Sequence, residues 1–144
     1  DIFLKRLLPI FKASFFVPLF GDGSTKFQPV FIDDVSLAVE KIITDNIEGQ
    51  GIYELAGPRA ISYKDFYNYI SKCLNKTRVL VPTPLNLIKP LISIAEKTPF
   101  SPLTSEQLLL FEKDNIIQNI DKSFKDLEIS PQDTLQITKN IVEN

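Results

Sequence analysis

The stretch Gly21-Asp-Gly-Ser-Thr-Lys-Phe-Gln-Pro-Val-Phe-Ile-Asp-Asp-Val35 decides the fold class. It opens as a tight glycine turn. It continues as a short strand over 29–32, rich in β-branched and aromatic side chains. It closes on Asp34, whose carboxylate is placed to cap the next helix. Turn, strand and capped helix in quick succession predict an α/β fold.

Working outward, Ile2, Phe3, Leu7, Ile10 and Phe11 recur at helical spacing, with Pro9 expected to kink or end that helix. Residues 15–20, Phe-Phe-Val-Pro-Leu-Phe, are too apolar for a solvated loop and read as chain crossing a buried surface. After Asp34, the side chains of Val35, Ala38, Val39, Ile42 and Ile43 form an apolar helical stripe that stops by Gly49. Residues 52–56 read as a strand apolar on both faces, suited to a parallel sheet covered by helices. Ser62 caps a helix whose core face carries Tyr63, Phe66, Tyr67, Ile70, Cys73 and Leu74. A third strand, 79–81, ends at Pro82, and Pro84 opens a helix to Ala95. The broad apolar arc of that helix suits core, a docking surface or a membrane-interface face. Residues 98–102 read as a linker. Thr104 caps a helix to about Lys113, a short helical turn covers 121–127, and a last helix follows Pro131. Three short strands cannot build a sheet with helices on both faces. The expectation is that a partner half is needed.

Composition narrows the chemistry. The chain has 144 residues, a net charge of −2, no histidine, no methionine and one cysteine, Cys73. A Ser-His-Asp or Cys-His device is excluded, and a zinc site has almost no ligands to draw on. The absence of basic excess removes the usual footprint of a nucleic-acid partner. A lone cysteine rules out an internal disulfide framework and fits a reducing compartment. The missing initiator methionine predicts a fragment or a processed chain.

Several phrases resemble the C-terminal portion of extended short-chain dehydrogenases/reductases. The family pattern is a glycine turn followed by a strand ending in Val-x-Asp-Val, here Gly21-Asp-Gly and Phe31-Ile-Asp-Asp-Val35. A strand ending in glycine and a Ser-capped helix follow, matched by Tyr53-Glu-Leu-Ala-Gly57 and Ser62. The closing motif Asp-x-Ser-Lys … Leu-Gly … Pro is similar to Asp121-Lys-Ser-Phe-Lys-Asp-Leu-Glu-Ile-Ser-Pro131, with Glu128 where the family has glycine. The chain most resembles an atypical branch, the nucleotide-binding accessory subunits of respiratory complex I (the alpha subcomplex subunit nine family). Thr25-Lys-Phe-Gln-Pro-Val30 and the leucine-rich run into Asp114-Asn-Ile116 carry that resemblance.

The resemblance implies the C-terminal, substrate-side lobe of a Rossmann-like protein over 1–144, with 52–56 belonging to the Rossmann sheet. NAD or NADP would be held mainly by an N-terminal half absent from this chain. Complex I subunits would be partners, with peripheral membrane association open. The implied place is the matrix side of the mitochondrial membrane, the cytoplasmic face of a bacterial inner membrane, or otherwise the cytoplasm. No Tyr-x-x-x-Lys occurs, and Gly21-Asp-Gly23 reads as preceding a strand, so no catalytic or cofactor-binding residue is assigned here. Substrate-cleft candidates are Phe27, Gln28 and Lys113. Phe27 stands where nucleotide-sugar epimerases of this fold place an arginine, which argues against a sugar-nucleotide substrate. Beside these roles stand plainer ones: Phe27 and Gln28 closing the strand entry, Lys113 a solvated last-turn lysine. Three functions remain open at this point. They are an accessory or assembly role in complex I, an NAD(P)-dependent epimerase, dehydratase or reductase, and a stand-alone interaction domain.

Overall fold

The computed structural model describes residues 2–45, 51–95, 104–118 and 122–143. The expected stop at Gly49, the linker at 98–102 and the start of the turn at Asp121 lie outside them. The fold is mixed α/β, with short strands, one pair of them parallel, and several helices.

Helix α1 (Ile2–Ala13) runs through Pro9 without ending. Proline removes one intrahelical bond, but Leu4, Leu7, Leu8 and Phe11 are all buried on one face, and that packing carries the helix past it. The run 15–20 is not a crossover: its greater part forms strand β1 (Phe16–Phe20). Strand β4 (Val79–Thr83) lies parallel to it, with Phe16 opposite Val79 and Phe20 opposite Thr83. Pro82 therefore sits inside β4 instead of stopping it, and Pro18 sits inside β1. A two-strand sheet gives every strand an open edge, where a missing donor costs no ladder bond.

The expected strand at 29–32 is absent. The strand is instead β2 (Lys26–Phe27), paired antiparallel with β3 (Ile61–Ser62). Gln28 to Phe31 run on to helix α2 (Ile32–Thr44) with their bonds directed elsewhere. Asp34 is not the cap. The N-cap position is Phe31, which makes no side-chain cap, and Asp34 lies in the first turn, 4 % exposed. The α2 stripe is also rotated from the expected one. Ala38 is fully buried, whereas Val39 and Ile43 are 50 % and 71 % exposed. The burial of Asp34 explains the rotation, because it turns the 34/38 edge inward.

Residues 52–56 form no strand. They make one parallel bridge, Tyr53 opposite Lys122, with the Glu54 N–H donating to the Lys122 carbonyl at 2.9 Å. Helix α3 (Tyr63–Cys73) is capped by Ser62, whose hydroxyl accepts from the Asp65 N–H. Helix α4 (Leu85–Ala95) buries Ile88 and Ile92 but exposes Leu87, Leu91 and Ile94. The Thr104-capped helix α5 is short (Ser105–Leu108) and tightens into a 3-10 turn over Leu109–Phe111, so it ends before Lys113. A second 3-10 turn (Phe124–Leu127) is capped by Ser123, and α6 spans Thr134–Glu143.

Two apolar clusters result. The large one joins α1, β1, α3, α4, α5 and α6 around Phe11, Leu19, Tyr67, Ile70 and Leu108. The small one has Ala38, Phe124 and Leu127 at its centre, with Val30, Val35, Tyr53 and Leu55 packed on it.

Candidate functional site

The segment between β2 and α2 crosses from the large cluster to the small one, and polar side chains fix its path. The Gln28 amide donates to the Gly57 carbonyl at 2.8 Å and accepts from the Ile117 N–H at 3.3 Å. Its own N–H donates to the Asn115 carbonyl at 3.1 Å, and the Asn115 N–H donates to Lys26 at 2.8 Å. The Lys26 N–H donates to the Asp114 carboxylate at 2.8 Å. Three remote chain segments thus meet at one glutamine. Phe27 points its ring into the large cluster, stacked on Tyr63 at 4.5 Å and edge-on to Phe66 at 5.3 Å.

A second clasp lies just beyond. The Asp34 carboxylate accepts from the Gln132 N–H at 2.9 Å and from its side-chain amide at 3.1 Å. The Thr134 hydroxyl donates to the Pro29 carbonyl at 2.7 Å. Gly57 is wedged against the same carbonyl: a Cβ there would stand 1.9 Å from it. Only glycine lets the two backbones approach so closely.

Beside Gln28 opens a cleft of about 470 Å3, walled by Glu54, Ala56, Ile117, Ser123, Lys125 and Glu128 among others. One Glu54 carboxylate oxygen is buried with no hydrogen-bond partner among the described residues. Glu128 reaches Lys41 at 3.6 Å. Asp126, which bonds the Ser123 N–H and hydroxyl, is held below the usual carboxylate range by those two bonds. The lining offers hydrogen-bond partners of both signs, and its hydroxyl–carboxylate contact, Ser123 to Asp126, belongs to the cap of the 3-10 turn. Among the described residues, no group of three or more Cys, Asp or Glu is placed to hold a metal.

Of the sequence candidates, Gln28 lines this cleft, Phe27 is turned into the core, and Lys113 is exposed on the chain just before Asp114. The structure does not gather the three round one cavity. Sequence reading missed Glu54, Gly57 and Gln132. Gly57 carried a signal, the Gly-Pro pair, but it was read only as the end of a strand.

The glycine turn follows β1 as well as preceding β2, with Gly21 and Gly23 at φ 65° and 75°. It leads into a strand. A dinucleotide pyrophosphate sits on a helix N-terminus reached directly from a strand through such a turn. This turn does not fit that group, and no other strand–glycine–helix turn occurs among the described residues.

No family model matches the chain. The chain is similar to two subunits of mitochondrial NADH-ubiquinone oxidoreductase. One is the 40 kDa subunit of Neurospora crassa, 28 % identical over 120 residues, which is 83 % of this chain and 32 % of that protein. The other is the 1 alpha subcomplex subunit 9 of Arabidopsis thaliana, 29 % identical over 127 residues, 81 % of this chain and 31 % of that protein. The chain therefore spans about a third of the length of these curated relatives. These are members of the family that the Phe-Gln-Pro-Val and Asp-Asn-Ile phrases resemble. In space the two phrases touch, through Gln28 on Asn115 and Lys26 on Asp114.

Proposed function

We propose that this chain is the C-terminal lobe of an accessory subunit of respiratory complex I, acting in its assembly or stability. The observation that carries the reading is the contact between the two phrases on which the family resemblance rests. Lys26, Gln28, Asp114 and Asn115 bond to one another and to the backbone, which makes these residues a structural joint. Residues that hold a lobe in shape suit a subunit whose task is to be bound.

In this reading NAD or NADP is bound by a Rossmann unit outside these 144 residues, and this lobe contributes the Gln28 cleft and the 52–56 segment at the junction. Among the described residues, 52–56 meets Lys122 through the bridge at Tyr53 and the Glu54 N–H, and Ile52 is 77 % exposed. Both relatives are named as mitochondrial, which favours the matrix side of the inner membrane. The test is purification of the full-length tagged protein from its host in mild detergent. Subunits of the NADH:ubiquinone oxidoreductase are expected to come with it. Recovery only as a free species contradicts the proposal.

A second reading is an NAD(P)-dependent epimerase, dehydratase or reductase acting on a small molecule. It is favoured by the unpartnered Glu54 oxygen at the wall of the cleft. A Tyr-x-x-x-Lys in the remainder of a longer protein supports it, and its loss supports the accessory role.

A further inference from the structure

Charge is unevenly spread in this mildly acidic chain. Residues 2–20 carry Lys5, Arg6 and Lys12 and no carboxylate. Residues 66–84 carry Lys72, Lys76 and Arg78 and, again, no carboxylate. The fold puts the two segments side by side. The Arg78 Nε donates to the Phe11 carbonyl at 2.7 Å, and the Lys76 ammonium donates to the Lys12 carbonyl at 3.2 Å. Between the end of α3 and the start of β4 lies an open groove of about 490 Å3. Its lining includes Lys72, Lys76 and Arg78, the amides of Asn68 and Asn75, and Thr77, with no acidic side chain. Donors and positive charge without a competing carboxylate form a receptor for a phosphate group.

Apolar side chains lie just beyond the groove, past Arg78. The Val79 N–H donates to the Phe15 carbonyl at 3.0 Å, which joins the groove wall to the α1–β1 connection. Phe15 and Phe16 stack edge-on at 5.2 Å and are 53 % and 60 % exposed. Inorganic phosphate has no use for two bare aromatic rings beside it. A bilayer surface does, since aromatic rings settle among headgroups while cations meet the phosphates. No helix among the described residues is long and apolar enough to cross a membrane, so contact here would be peripheral. The apolar outer face of α4 lacks this charge: its one cation, Lys89, is engaged by Glu112 at 2.5 Å.

We propose that the groove at the α3–β4 junction takes the phosphate group of an anionic phospholipid, with Phe15 and Phe16 entering the interface beside it. The proposal is independent of the complex I reading, and its failure leaves that reading intact. The test is co-sedimentation of the full chain with phosphatidylcholine vesicles, with and without phosphatidylglycerol. Binding is expected only when the anionic lipid is present, and it should weaken as salt rises. The double variant K12E/K72E changes two side chains that make no hydrogen bond or ion pair among the described residues. It should lower the association constant roughly tenfold or more, given what each basic side chain adds at an anionic leaflet. F15S/F16T should weaken binding while leaving its salt dependence in place, which keeps the idea testable if the charge variant fails to fold. Equal binding to both vesicles overturns the proposal, as does wild-type binding by folded K12E/K72E. Absence of vesicle binding overturns it too, including the case in which inorganic phosphate alone shifts the groove's amide resonances.

Discussion

The two apolar clusters of this molecule are built by different means. The large one is closed by area: Phe11, Tyr67, Ile70 and Leu108 are fully buried, and six helices and strands contribute to it. The small one centres on Ala38, Phe124 and Leu127 and has little area to bury. Its shape is set by polar side chains gripping backbone: Gln28 on Gly57 and Ile117, Asp34 on Gln132, Thr134 on Pro29. Around it Ile32, Val39, Ile43 and Ile52 stay exposed. A region held by directional bonds keeps its geometry with open apolar surface beside it. The large cluster also leaves apolar side chains bare, at Leu87, Leu91 and Ile94, so the two regions differ in how they are held and not in what they expose.

The sharpest break comes at Gly57. Gly57→Ala drives a methyl into the Pro29 carbonyl, and the two segments must part. A loss of about 3 kcal/mol or more is expected, read as a fall in the urea midpoint. The clasps come next. Gln28→Ala removes two side-chain bonds and strands the Gly57 carbonyl and Ile117 N–H, for a loss of about 2 kcal/mol. Asp34→Ala should cost a similar amount, about 2 kcal/mol, through Gln132. Were either substitution neutral, the small cluster would be held by burial after all.

In the large cluster the sign reverses. The Tyr67 hydroxyl is buried with no partner among the described residues, and its ring packs edge-on against Phe11 at 5.3 Å. Tyr67→Phe deletes the orphaned group and keeps the ring, so stability should rise by about 1 kcal/mol, seen as a higher melting temperature.

The smallest expected effect is on alkaline stability. Burial pushes the Tyr63 phenol up to about 12 from 10.0, and burial raises Tyr67 as well. A folded-state pKa above the unfolded one contributes fully below pH 10 and is lost as pH climbs toward 12. Urea midpoints taken from pH 9 upward should therefore fall above pH 10, and Tyr63→Phe should flatten that fall.

What was legible in the sequence follows the same division. The α3 face, Tyr63, Phe66, Tyr67 and Ile70, was readable because helical spacing and burial agree there. The Ser62 cap was readable because its partner lies three residues away. Strand β1 was not, because Pro18 argues locally against a strand and its neighbour, β4, is remote in sequence. Asp34 was misplaced for the same kind of reason: its carboxylate answers to Gln132, near the other end of the chain. The Gln28 joint was legible only as two phrases with no sign that they meet. Short-range chemistry shows in a sequence, whereas a side chain whose partner is a distant backbone group shows only in the fold.

Gln28 is the joint through which the Phe-Gln-Pro-Val and Asp-Asn-Ile phrases order the small cluster. Amide hydrogen exchange on Gln28→Ala tests it most directly. Faster exchange is expected at Ile117, which donates to Gln28, and at Glu54, which donates to Lys122 beside the small cluster, with Ile70 in the large core unchanged. Exchange at Ile117 and Glu54 identical to the wild type, or an equal acceleration at all three positions, would contradict it.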